Sequence, residues 1–371
     1  LKPFNFFIVS IISFFISPVL HAQDIFSGYE HLFTSPRQYI AYQTNEAIHI
    51  DGKLKESSWN NAPWSGYFKD IEGDKKPAPA FNTRFKILWD TQNIYIAAEL
   101  EEPAVWANIR EHDALVYYDN DFEIFIDPDG DTHNYFEIEV NALNTIFDLF
   151  LSKPYRNGGA ILVNWDAQQL KSAVCVKGKI NNAKRKDHKW FVEMAIPFRS
   201  VNIGYGVQLP KDQSVWRINF SRVEWDTELI AGAYVKKTDS ITHRLLPEHN
   251  WVWSPQGVVD MHMPERWGYL QFSTQLTGTA DAYFPLPVAE EYKKYLWLLY
   301  YKQQEYRNQH QQYATLLSQL NFPAQIELAG VNCTISLEAN TTQYKAVINA
   351  VPGKEGWQIN HEGKIYKVVI P

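Results

Sequence analysis

The sequence predicts a mainly β protein, an antiparallel, jelly-roll-like β-sandwich with a C-terminal α+β appendage. Three observations lead there. Short alternating apolar segments, broken by turn residues, recur from about Tyr39 to Ser273. No regular helical period separates them, which argues for antiparallel strands rather than alternating helices and strands. From Ala289 to Leu320 the chain is free of Pro and Gly and carries apolar and aromatic residues at helical spacing.

The elements follow in chain order. Lys2, the mostly apolar run Phe4 to Ile16, Pro18 and Ala22 have the form of a secretory signal covering residues 1–22, cleaved after Ala22. The rival reading is a membrane anchor. The run is shorter than the ~20 residues that span a bilayer and contains Asn5, Ser10 and Ser13, so no membrane span is expected after cleavage. The expected location is secreted, periplasmic or at the cell surface.

The sandwich is assigned to 23–274. Arg84 to Trp89 and Ile94 to Leu100 flank the turn Asp90-Thr91-Gln92-Asn93. Phe122 to Ile126 and Tyr135 to Val140 flank a turn at Asp127-Pro128-Asp129-Gly130. Trp190 to Ile196 and Trp216 to Val223 alternate in the same way. Residues 275–288, with Gly278, Pro285 and Pro287, read as a linker. Residues 289–371 then form one long helix or a helical hairpin, followed by a small β unit turning at His361-Glu362-Gly363-Lys364. The helix face is broad and must pack on something, either a protein partner or the sandwich itself. Cys175 and Cys333 do not make a disulfide framework; they read as buried thiols, with a lone bridge as the alternative.

Composition narrows the partners. A net charge of −7 leaves no basic footprint and excludes nucleic acid as the expected ligand. Thirteen Trp and twenty-one Tyr supply rings that serve both cores and wet binding faces.

The hairpin Asp121 to Asn141 is the most informative segment. Alternation puts Phe122, Ile124, Ile126, Phe136, Ile138 and Val140 on one face. The other face carries Glu123, Phe125, Tyr135, Glu137, Glu139 and Asn141. A turn around Asp129-Gly130 sets Glu123 roughly opposite Glu139, and like charges so placed are destabilising. An arginine, a cation or a hydroxyl-rich ligand must offset them. In Trp216 to Ser221 the apolar residues alternate with Arg217, Asn219 and Ser221, which a neighbouring strand would add to the same face, with Arg222 free to turn either way. Tyr117, Tyr118, Trp251 and Trp253 are the rings expected at its rim. Rings and convergent polar groups together suit a sugar; the plain alternative is a solvated outer face with weak ion pairs.

Six motifs in order make a resemblance specific. They are Ile50-Asp51-Gly52-Lys53-Leu54-Lys55-Glu56-Ser57-Ser58-Trp59; Lys86-Ile87-Leu88-Trp89-Asp90 with Ile94-Tyr95-Ile96; Asp121-Phe122-Glu123-Ile124-Phe125-Ile126-Asp127; Trp190-Phe191-Val192-Glu193 with Ile196-Pro197; Ile218-Asn219-Phe220; and Arg266-Trp267-Gly268-Tyr269-Leu270. Over roughly residues 40–273 the chain resembles carbohydrate-binding module family 9. The resemblance implies a sugar-binding sandwich, often with structural calcium and often beside glycan-degrading enzymes. It matches Glu123 and Asn141 to binding residues and places a stacking ring near Tyr117. Glu139 falls where the family has an arginine, and Ser221 near its glutamine. The second stacking tryptophan has Trp251 and Trp253 as candidates.

The expected function is therefore non-catalytic recognition of a mono-, oligo- or polysaccharide in support of polysaccharide breakdown. A glycoside hydrolase using Glu123, Glu137 and Glu139 is one alternative; a haem-binding sandwich drawing on Met261-His262-Met263 is another. Asp127, Asp129 and Asp131 crowd one turn with hard oxygen ligands that suit calcium, although ordinary turn chemistry also favours Asp there. His133, His243, His249 and His262 show no zinc-ligand spacing.

Overall fold

A computed structural model describes residues 24–184, 186–279, 283–328, 330–350 and 353–370. The expected signal segment 1–22 lies outside the described residues. Of the described residues 37% are strand and 14% helical, so the protein is mainly β.

A 13-stranded sheet carries the sandwich. From one edge it runs Ile161–Leu162, Ile146–Leu151, Tyr135–Asn141, Asp121–Asp127, Val215–Glu224, Gly268–Leu276, Gln38–Gln43, Thr83–Trp89, Asn93–Glu101, Lys189–Pro197 and Lys171–Lys177. His249–Val252 branches from Val215–Glu224, and Lys69–Asp70 pairs with His249–Val252. Gln38–Gln43 pairs in parallel with both its neighbours, and the other pairings are antiparallel. The sheet closes over itself, so the inner faces of its two halves share one core. Phe85, Ile87, Ile96 and Met194 from one half meet Phe122, Ile124, Ile138 and Phe220 from the other, all sealed from solvent. The Phe85 and Phe220 rings lie 3.9 Å apart across this seam. Each such side chain contributes about 1.5–3 kcal/mol on burial.

The segment Ile50 to Trp59 is a clamp. Asp51 and Gly52 N–H groups donate to Glu193 Oε2 at 2.9 and 2.8 Å, and Trp59 Nε1 donates to Glu193 Oε1 at 2.8 Å. Gly52 takes φ 75°, and a Cβ there would sit 3.0 Å from Cys175 Cβ. Glycine is required both by the dihedral and by the close approach.

The C-terminal unit packs the helix Ala289–His310 on a five-stranded meander, Gln325–Leu328, Val331–Ala339, Tyr344–Ala350, Glu355–Asn360 and Ile365–Val369. The helix stops where Gln311 takes φ 58°. Tyr295 to Tyr300 are all buried, so the helix is covered on every side along this stretch. Ile25, Phe26, Tyr29 and Phe33, from before the first sandwich strand, join this second core. The aromatic helix turns back on its own chain. Tyr301 donates to Glu265, Tyr300 to Asn157 and Tyr269 to Glu290, each within 2.8 Å. Thr132 donates to the Gly363 carbonyl at 2.7 Å, and Lys153 pairs with Glu362 at 2.6 Å. Both cysteines are free thiols; Cys333 is buried and Cys175 is half-buried.

Candidate functional site

The outer face of the sheet is built by three adjacent strands. Glu123 pairs with Glu139 on one side and Ser221 on the other, and Phe125 lies between Glu137 and Asn219. This is the register that a turn around Asp129-Gly130 implies, and it brings Glu123, Glu137, Glu139 and Ser221 onto one patch. All four are buried. Carboxyl oxygens of Asp121, Glu123 and Glu139 converge within 4.8 Å of one another. Among the described residues no lysine or arginine pairs with these acids; the basic group that faces them is His262, whose Nε2 lies 4.0 Å from Glu137.

Burial decides their charge. Glu123 is pushed up to about 7 by desolvation, against a hydrogen bond from Ser221 that lowers it and the charge of Glu248 that raises it further. Burial also holds Asp121, Glu137 and Glu139 well above the usual carboxylate range, with the charge of Glu123 adding to each. Glu137 and Glu139 share a hydrogen bond, and the Tyr117 N–H donates to Glu139 at 3.0 Å. A desolvated carboxyl without a countercharge keeps its proton. The patch therefore offers O–H donors as well as acceptors near neutral pH.

The other expected residues serve the scaffold. Asn141 Nδ2 donates to Ile109 O and Asp119 Oδ2 at 2.9 Å, and its Oδ1 accepts from the Leu143 and Thr145 N–H groups at 3.0 Å. Asn219 is engaged at both ends with the Ser254 backbone at 2.9 Å. Arg217 lies over the Tyr269 ring, 4.0 Å from its centroid, and donates to the Glu265 carbonyl. Arg222 corrects the sequence reading: parity along Val215–Glu224 sends it to the inner face with Ile218 and Phe220, where it pairs with Glu102 and Glu224 at 2.7 Å. Trp251 and Trp253 are also corrections. Trp251 is paired with Arg222 across the strand boundary and shares its side, and both tryptophans are buried in the core.

Three groups join the patch that sequence reasoning missed. Tyr155, with 43% of its surface exposed, feels the charges of Glu137 and Glu139 and neighbours Tyr117. Tyr117 stacks on Tyr118 at 4.7 Å, so rings stand at the acid patch from two separate segments. Glu248 acts electrostatically on both Glu123 and Tyr117. His262 packs 4.2 Å from the Tyr155 ring, with Nδ1 3.0 Å from the Tyr135 hydroxyl. Burial first, and then Arg156, lower its pKa to about 3, so it stays neutral. Both its ring nitrogens face protein groups.

The turn acids form a separate cluster. Asp127, Asp129 and Asp131 bring carboxyl oxygens within 4.8 Å of one another. Asp127 accepts from the Gly130 and Thr132 N–H groups at 2.9 Å, and Lys364 pairs with Asp131 at 3.1 Å. The turn thus meets part of its own charge through backbone donors and one lysine.

The model of the family "Carbohydrate family 9 binding domain-like" matches residues 50–240, just over half of the chain. A Bacteroides uniformis protein described as carbohydrate-binding is similar in structure at 17% identity and a TM-score of 0.47, over 64% of this chain and 100% of that one. A family 9 carbohydrate-binding module of Caldicellulosiruptor kristjanssonii, solved with cellotriose, is similar at 15% identity and a TM-score of 0.42, over 67% of this chain and 100% of that one. A family 9 carbohydrate-binding module of the same organism, solved with glucose, is similar at 17% identity and a TM-score of 0.41, over 67% of this chain and 100% of that one. No curated protein matches the chain. Among the described residues no helix is long and apolar enough to cross a membrane. The chain belongs to the carbohydrate family 9 binding domain-like family.

Proposed function

We propose that the chain is a secreted, non-catalytic glycan-binding protein that supports polysaccharide breakdown, receiving a mono- or oligosaccharide on its outer sheet face. The observation that carries this reading is the cluster of Glu123, Glu137, Glu139 and Ser221 beside the rings of Tyr117 and Tyr155. A sugar hydroxyl both donates and accepts, and a partly protonated acid patch does the same. The C–H face of a pyranose is apolar and suits a tyrosine ring. Few contacts set against immobilisation costs give weak binding. Secretion rests on the charged, apolar and small-residue pattern of 1–22. Calcium held by Asp127, Asp129 and Asp131 is part of the same proposal, with Lys364 giving way to the ion.

A glycosidase needs one carboxyl kept ionised beside one kept protonated. Here burial pushes Glu123, Glu137 and Glu139 in the same direction, which favours binding over hydrolysis. Calorimetric titration of an oligosaccharide panel into the mature chain tests the proposal. One sugar binds, and Glu123→Gln weakens it about tenfold by replacing the carboxyl that bonds a sugar hydroxyl. Undiminished binding by that variant overturns the site. Turnover of a polysaccharide that Glu123→Gln abolishes favours the hydrolase instead.

A further inference from the structure

We propose that His112, Asp148 and Asp166 form a site for a zinc-class divalent ion at the mouth of the sandwich. The strand Ile146–Leu151 carries Asp148 opposite Ile138, whose side chain belongs to the core. A carboxylate is costly on that face unless something pairs with it. Asp148 is only 2% exposed. Its Oδ2 accepts from the Ala167 N–H at 2.5 Å, while its Oδ1 is buried without a hydrogen-bond partner. That oxygen lies 3.9 Å from His112 Nε2, and Asp166 Oδ1 lies 2.9 Å from the same nitrogen. Ligand atoms of a tetrahedral zinc stand roughly 3.3 Å apart, as bond lengths near 2.0–2.2 Å require, and the two distances bracket that spacing.

The imidazole is already oriented for a metal. Its Nδ1 lies 2.9 Å from the Ile146 carbonyl, an acceptor only, so Nδ1 carries the proton and donates it. Metal-bound histidines characteristically fix their second nitrogen in this way, leaving Nε2 for the ion. Without metal, Nε2–H donates to Asp166; with metal, the ion takes the place of that proton. Asp113 adds a third carboxyl to the cluster, all four residues offering an atom within 4.8 Å of the others. The cluster opens on a cavity of about 480 Å³, also lined by Arg110, Asn144 and Gln168, which leaves room for a water or a substrate oxygen at the remaining position. Trp165 anchors the loop that supplies Asp166 by packing 5.0 Å from Phe136. One nitrogen and two carboxylates favour zinc over calcium, which prefers six or more oxygens.

The test is a zinc titration of the chelator-treated full chain by calorimetry, with cobalt substitution read by visible absorption. One zinc binds, and cobalt gives the intense bands of a four-coordinate site. His112→Ala and Asp166→Asn, both at exposed positions that leave the fold intact, each lower zinc affinity about tenfold or more. Asp129→Asn, in the separate turn cluster, leaves it unchanged. Absence of zinc binding by the wild-type chain overturns the proposal. So does zinc binding that survives His112→Ala and Asp166→Asn, or that Asp129→Asn removes.

Discussion

Replacing Glu123 by glutamine stabilises the protein in alkali and not in acid. The carboxyl sits near 7 in the fold against an ordinary value of 4.5, chiefly because it is desolvated. A pKa raised on folding favours the native state fully below about pH 4.5, and that contribution is lost as the pH rises through about 7. The difference is about 3 kcal/mol, at 1.36 kcal/mol per pH unit. Glutamine keeps an acceptor for Ser221 and never ionises, so the variant escapes the loss. Urea unfolding of both proteins at pH 4.5 and 8.5 measures the effect. The stability difference between variant and wild type shifts by about 3 kcal/mol in favour of glutamine at the higher pH, or roughly 6–12 °C in Tm. Titrating groups that do not feel Glu123, His262 among them, contribute to both proteins and cancel in the comparison; Asp121, Glu137 and Glu139 lose the charge of Glu123 in the variant, which moves the difference further in the same direction. A shift smaller than about 0.5 kcal/mol, the size of an ordinary surface substitution, refutes the claim that Glu123 is desolvated and without a countercharge.

Three further outcomes follow from the same geometry. His262 is held near 3 by burial and Arg156, so the fold loses stability as the pH falls from 6.5 towards 3; His262→Gln removes about 5 kcal/mol of that acid dependence in urea melts, at 1.36 kcal/mol per unit. Ile138→Ala, in the sealed core, lowers stability by about 2–5 kcal/mol at every pH, and a loss below 1 kcal/mol contradicts the packed seam. Millimolar calcium raises the Tm of the wild-type chain, and Asp129→Asn abolishes the rise; an equal rise in the variant moves calcium away from the turn.

The sandwich was legible because its strands alternate cleanly. Phe122, Ile124 and Ile126 face the core, as period two requires, and the acidic partners fall opposite them. Parity also located Arg217, Asn219 and Ser221, and by the same parity Arg222 belongs inside. Its charge argues for the surface, and only the pairing with Glu102 and Glu224 makes burial tolerable. Trp251 could not be placed from sequence, because its side is set by pairing with Arg222 on a distant strand. Asn141 and Asn219 lie on the expected face, yet their amides are taken up by loops that cross it. Tyr155 and His262 come to the patch from loops, where no periodicity fixes direction. His112, Asp148 and Asp166 converge from three segments, but Asp148 left a trace: a lone acid on the core side of an apolar strand.

The claim that a sugar sits on the acid patch is tested most directly by titrating the best-binding oligosaccharide into chain labelled with carbon-13 at its tyrosine rings, with assignment by single Tyr→Phe variants. The account predicts saturable shifts at Tyr117 and Tyr155, and none at Tyr205 or Tyr366, which are exposed elsewhere. Saturable binding that leaves Tyr117 and Tyr155 unmoved would contradict it.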